Sequence, residues 1–186
     1  MKRVLAILVF IFMLCGCSSP KEPIDSAVAL RETILSSNGV SFDAAIAADY
    51  EDVIYTFRLD CTVNAEEALS FTVTEPKSIS GISGIITEDQ PSLTFNDTVL
   101  AFPPFADGQL SPVMAPYLFM NSLRSGFLSS CGKEGEGYCI SIEDTFQNTP
   151  LLLQVFTDAD SVPLRAEITY RNRRILSIDF YNFVVL

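Results

Sequence analysis

Along much of this chain, apolar side chains fall on every second residue, and that alternation limits the fold more than any other feature. Val40, Phe42, Ala44, Ile46 and Ala48 alternate with smaller or polar residues. Val53, Tyr55, Phe57, Leu59 and Cys61 alternate next, with Thr56, Arg58 and Asp60 on the opposite face. A period of two with one apolar face marks half-buried antiparallel strands. Shorter strands are expected at 68–75, 82–87, 91–96 and 98–102, punctuated by Pro76, Gly81, Pro91 and Asn96-Asp97. Four more are expected at 137–146, 150–157, 163–170 and 174–185, the last pair turning at Arg171-Asn-Arg173.

Two stretches keep a helical period instead. Ala27, Leu30 and Ile34 recur at helix spacing behind Asp25 or Ser26 as N-cap, and Asn38-Gly39 supplies a stop, which predicts a helix near 26–37. Phe102-Pro-Pro-Phe-Ala-Asp-Gly108 interrupts the sheet pattern. A second helix is expected through 112–129, with Ser111 and Pro112 at its start unless Pro116 moves that start downstream. Met114, Tyr117, Leu118, Phe119, Met120, Leu123, Phe127 and Leu128 make it apolar around nearly its whole girth, so it belongs inside the fold. An open meander must cover its apolar face, and this helix is the obvious cover.

The N-terminus carries an address. Lys2 and Arg3 precede the unbroken apolar run Val4–Leu14, about half of the ~20 residues a membrane-spanning helix needs but the right length for the core of a signal peptide. The run ends in Leu14-Cys-Gly-Cys17, which resembles the bacterial lipobox. That resemblance implies cleavage after Gly16 and a diacylglycerol thioether on Cys17, with acylation such as palmitate providing the anchor. Residues 1–16 are then signal peptide, 17–25 the lipidated cysteine and a tether, and 26–186 a single domain.

Composition bounds the partners. Twelve basic residues oppose 23 acidic ones, a net charge of −11, which becomes −13 once Lys2 and Arg3 are removed. Such a surface disfavours nucleic acid and anionic headgroups. Attachment would therefore rest on the acyl chains, at about 0.8 kcal/mol per buried CH₂. The chain holds no histidine, which removes the Ser/His/Asp and Cys/His schemes and the commonest zinc sites. Glu66-Glu67 and Asp158/Asp160 read as solvated turns, and the spacing after Asp158 fails the calcium-loop pattern at Pro163 and Thr169. Arg171, Arg173 and Arg174 form a basic cluster, either an exposed turn or a contact for an acidic partner. Neither metal, cofactor nor catalytic residue is expected.

Cys131 and Cys139 bracket a glycine-rich loop. They are either reduced thiols or a disulfide, which on the chain-entropy account would add about 2.5 kcal/mol. Cys61 reads as a small buried apolar residue.

The element order behind the lipobox resembles the LolA/LolB superfamily of lipoprotein carriers. The likeness also rests on Asp49-Tyr-Glu-Asp-Val-Ile-Tyr-Thr-Phe57, Phe71-Thr-Val-Thr-Glu-Pro-Lys77 with Ser80-Gly-Ile82, and Asp160-Ser-Val-Pro-Leu-Arg165 running into Glu167-Ile-Thr-Tyr170. It implies an α+β fold: a curved antiparallel half-barrel of about 10–11 strands, its concave face covered by two helices. Gram-positive envelope and germination-associated lipoproteins share this look, and some of those bind a cell-wall amidase. Val113, Tyr117, Met120 and Phe127 are the candidate lining of a hydrophobic cavity, unless that region is a collapsed core. The expected function is non-enzymatic: a lipid-anchored extracytoplasmic protein that binds another envelope protein. The alternative is carriage of a lipid or other hydrophobic ligand.

Overall fold

The computed structural model describes residues 23–66, 68–87, 92–95, 98–101, 104–106 and 109–186. The lipobox, Cys17 and most of the tether lie outside the described residues.

The first helix, α1 (Pro23–Ser36), begins three residues earlier than its periodicity suggests. Proline fits a first helical turn, where its missing N–H has no partner to lose, and Asp25 complements the positive end of the helix. Ala27, Leu30 and Ile34 are buried, as their spacing requires.

The chain then builds β1 (Gly39–Asp49), β2 (Ile54–Asn64), β3 (Leu69–Glu75), β4 (Ser83–Ile86), β5 (Ser92–Phe95) and β6 (Thr98–Ala101). Each strand pairs antiparallel with the one before it. A small hairpin, β7 (Phe105–Ala106) with β8 (Gln109–Leu110), follows where the sheet pattern stops. The Tyr50 hydroxyl donates to the Leu110 carbonyl and ties this hairpin to the end of β1. Burial, with Tyr55 nearby, pushes the Tyr50 phenol up to about 12.

A 3₁₀ turn (Pro112–Met114) then leads into α2 (Ala115–Ser125). The chain next lays down β9 (Phe127–Glu134), β10 (Gly137–Phe146), β11 (Thr149–Thr157), β12 (Pro163–Tyr170) and β13 (Arg173–Val185). All 11 main strands form one open antiparallel sheet in the order β6-β5-β4-β3-β2-β1-β13-β12-β11-β10-β9. The chain meanders outward from β1 to one edge. It then crosses the sheet through α2 and meanders back from the other edge, until β13 pairs with β1 at the centre.

Alternation fixes the two faces. On β1, Val40, Phe42, Ala44, Ile46 and Ala48 are all buried, while Asp43 and Asp49 face outward. Leu59, Cys61 and Val63 continue the inner face on β2, as do Leu153 and Val155 on β11, Ala166 and Ile168 on β12, and Ile178 and Phe180 on β13. A one-residue slip would turn each of these sets to water, so burial enforces the register. The two helices cover this inner face. Phe119 of α2 packs with its ring tilted against Phe180 at 4.5 Å and meets Phe42 edge-on at 6.2 Å, with Phe183 completing the aromatic cluster.

One expectation needs correction. The helix predicted over 112–129 starts at Ala115, with Pro116 in its first turn, and stops at Ser125. Phe127 and Leu128 belong to the edge strand β9, not to the helix. Gly126 marks the break: a Cβ there would lie 2.5 Å from the Ile142 Cγ2 and 2.7 Å from the Ser122 carbonyl oxygen. Only glycine lets the chain leave the helix this close to β10.

Of the two states left open for Cys131 and Cys139, the structure has the free thiols. In the β9–β10 register Cys131 faces Ile140, and Cys139 faces Gly132. Ile140 is buried on the inner face, so Cys131 points inward and Cys139 outward. A disulfide would require one strand to turn over.

Candidate functional site

The described surface offers three places of interest: the inner face under the helices, a cleft beside α1, and a groove at the β9 edge.

Under α2 the described residues of the inner face leave little space. Two of the four candidate lining residues, Tyr117 and Met120, border a cavity of about 80 Å³ shared with Val63, Leu69 and Arg124. Ligand pockets run from roughly 300 to 1,000 Å³, so this space is too small for an acyl chain. Val113 sits in the 3₁₀ turn, partly buried against the core. Phe127 is separated from the other three: it lies outside, 71% exposed.

Packing of the helices explains why the face closes. Arg31 of α1 donates from Nε to the Leu123 carbonyl and from Nη2 to the Gly126 carbonyl, both at 2.8 Å. These are carbonyls at the C-terminal end of α2, which no later turn satisfies. The Ser122 hydroxyl, buried on α2, donates to the Asp144 carboxylate of β10 at 2.7 Å. The helix that crosses the sheet is thus held at its end by α1 and at its side by β10.

The cleft beside α1 measures about 560 Å³ and is lined by Leu30, Tyr138, Val162, Pro163, Phe183, Val184 and Val185, among others. It opens between the helix, the β11–β12 turn and the end of β13.

The edge groove is the same size, about 560 Å³, and runs inward from the head of β9 across the ends of β10 and β11 to Thr169 and Asn172. Phe127, Gly126, Pro150 and Leu152 give it apolar walls, and Glu143 and Asp144 add carboxylates. Phe127 is the first residue of β9, the outermost strand, which pairs with β10 alone. Its outward backbone groups meet no further strand among the described residues.

The charged candidates are occupied within the fold. Arg173 pairs with Glu51 and with the Asp49 carboxylate, and Arg171 lies over the Tyr170 ring at 5.6 Å. Arg174 holds both oxygens of Glu167 at 3.0 Å, and Arg165 donates to the same carboxylate at 2.9 Å. Burial pushes Glu167 up, but the hydrogen bonds and charges of the two arginines outweigh it and hold the carboxyl below its ordinary range. The basic cluster is therefore internal wiring of the outer face. The Asp158 carboxylate accepts from the backbone N–H groups of Asp160 and Val162, which makes it the cap of its own turn. Glu66 borders the small inner cavity, and Glu67 lies outside the described residues. Burial also pushes the Cys61 thiol well up, with Asp60 and Asp43 adding to it, as expected for an inert core cysteine.

Sequence reasoning missed the edge groove. Its signal was the Ser125-Gly-Phe127 step, a glycine inside an apolar helical pattern.

No family profile and no curated protein matches the sequence. Solved structures do. A Vibrio parahaemolyticus domain assigned to outer membrane lipoprotein sorting superposes with a TM-score of 0.50 at 9% identity, over 88% of this chain and 92% of its own. A LolA superfamily protein from Nitrosomonas europaea gives 0.43 at 11% identity, over 86% and 93%. A chain from the complex of the CwlD amidase with the GerS lipoprotein, from Clostridioides difficile, gives 0.41 at 13% identity, over 91% and 99%. At such identities the likeness is one of fold. This chain shares the fold of the Vibrio domain, an open antiparallel sheet with covering helices.

Proposed function

We propose that this protein is a lipid-anchored envelope lipoprotein that acts without catalysis, by binding another envelope protein at the β9 edge. In this reading the sheet is a curved half-barrel whose concave face is occupied by its own helices. Cys17 carries the diacylglycerol, and the domain stands outside the cytoplasm. The observation that carries the proposal is Phe127: a large aromatic side chain 71% exposed at the head of the edge strand, beside a groove of about 560 Å³. Solvent-exposed aromatics of this kind are typical anchors of interfaces. An open strand edge offers main-chain hydrogen bonds for strand addition. The carboxylates of Glu143 and Asp144 beside it favour a partner segment with basic residues.

A second reading, carriage of a hydrophobic molecule, is favoured by the apolar cleft between α1, Val162 and the end of β13. Native mass spectrometry on residues 18–186 purified without detergent separates the two. Partner binding predicts a bare mass. A lipid-sized adduct that persists under gentle desolvation, and is lost when Ala29→Phe fills the cleft, would establish the carrier instead.

A further inference from the structure

We infer that α1 carries a second, outward apolar line that seats the domain on the membrane to which its lipid holds it. The inference rests on the lipid-anchored reading of Cys17. Residues 24, 28, 31 and 35 stand one above another on an α-helix, within about 60° of each other at roughly 100° per residue. Three of them are apolar and exposed: Ile24 at 38%, Val28 at 41% and Leu35 at 55%. The fourth, Arg31, would break the line with a charge. Its guanidinium instead turns away to the Leu123 and Gly126 carbonyls and is half-buried there. The core contacts of the helix lie elsewhere, on Ala27, Leu30 and Ile34. Single exposed apolar residues need no explanation, whereas a continuous row does.

The length of the tether says what covers this row. Only residues 18–22 separate Cys17 from Pro23, the first residue of α1. Fully extended, the six steps from Cys17 to Pro23 span about 20 Å. A flexible chain of that length averages nearer 13 Å. α1 itself is about 21 Å long. A helix tied that closely to an acyl anchor lies at the membrane surface whatever else the domain does. Its exposed apolar row is then the part suited to the boundary between headgroups and acyl chains. Asp25 and Glu32 flank the row, so insertion is shallow and draws on apolar contact, not on attraction to anionic lipid.

The chain contains no tryptophan, so a single one reports without background. The full chain, expressed with its own leader and purified from membranes, is reconstituted on phosphatidylcholine vesicles in two variants. Val28→Trp sits on the row, and Thr56→Trp sits on the outer face of β2. The expected result is a blue-shifted emission for Val28→Trp, strongly quenched by brominated phosphatidylcholine, with Thr56→Trp unshifted and unquenched. Protein that floats with the vesicles while Val28→Trp stays unshifted overturns the docking and leaves the anchor standing, which would assign the row to a protein contact. Equal shifts at both positions also overturn it. Protein that fails to float overturns the anchored reading itself.

Discussion

Arg31 of α1 reaches across to the end of α2 and donates to the Leu123 and Gly126 carbonyls, each at 2.8 Å. These two bonds join the only two α-helices among the described residues, and they close the inner face from the side where α2 ends. Hydrogen bonds from a charged donor contribute about 1.5–3 kcal/mol each when well formed. Arg31→Met keeps the apolar stem and loses both bonds. Both bonds come from one part-buried guanidinium, so the expected cost is nearer that of a single bond, about 2–3 kcal/mol, a fall in Tm of roughly 4–12 °C for a domain of this size. Thermal unfolding followed by circular dichroism checks it, and a Tm within a degree of the parent would mean that the bonds do not hold the helices.

Phe119 is fully buried and touches aromatic rings from β1 and β13. Phe119→Ala leaves a cavity at the point where the crossing helix meets the two central strands. The expected loss is about 3–5 kcal/mol, read as a lower urea midpoint at unchanged slope.

Glu167 makes stability depend on acid pH. Its folded carboxyl lies below its ordinary range, because Arg174 and Arg165 outweigh burial. Its contribution is therefore complete above the unfolded pKa of about 4.3 and is lost as pH falls through the lower folded value. Glu167→Gln is expected to flatten this part of the acid limb of a Tm-against-pH curve. An unchanged limb would show that the two arginines do not favour the charged form.

The thiols test the β9–β10 register. In native residues 18–186, alkylation is expected to reach Cys139 first, to reach Cys131 more slowly because it faces inward and donates to the Pro23 carbonyl, and to spare Cys61, which is buried with its pKa raised by desolvation. Prior reduction should add no further label. A mass two hydrogens short before reduction, with label appearing only afterwards, would place the two cysteines on one face.

Most of the sheet was legible because burial on one face writes a period of two directly into the sequence. β1, β2 and β10 to β13 follow from Val40–Ala48, Leu59–Val63 and the alternation after Gly137. The β9 strand was not legible. Phe127 and Leu128 continue the helical spacing of Met120 and Leu123, and only Gly126 marks the turn. Its necessity lies in the approach of Ile142, which is far away in sequence. The same error placed Phe127 inside a cavity. Its exposure follows from register, which sets Phe127 opposite the exposed Glu143 on the outer face, and no local pattern records that. The state of Cys131 and Cys139 stayed open for a related reason. Closeness in sequence said that a loop could close, whereas strand register decides on which face each thiol emerges.

The central claim is that the β9 edge holds a protein partner, with Phe127 as its anchor. Photo-cross-linking in intact cells tests it most directly, with a benzophenone side chain placed at Phe127 and, separately, at Thr56 on the outer face. The account predicts a discrete covalent product with one envelope protein from position 127 and none from position 56. No product at 127, or the same products from both positions, would contradict it.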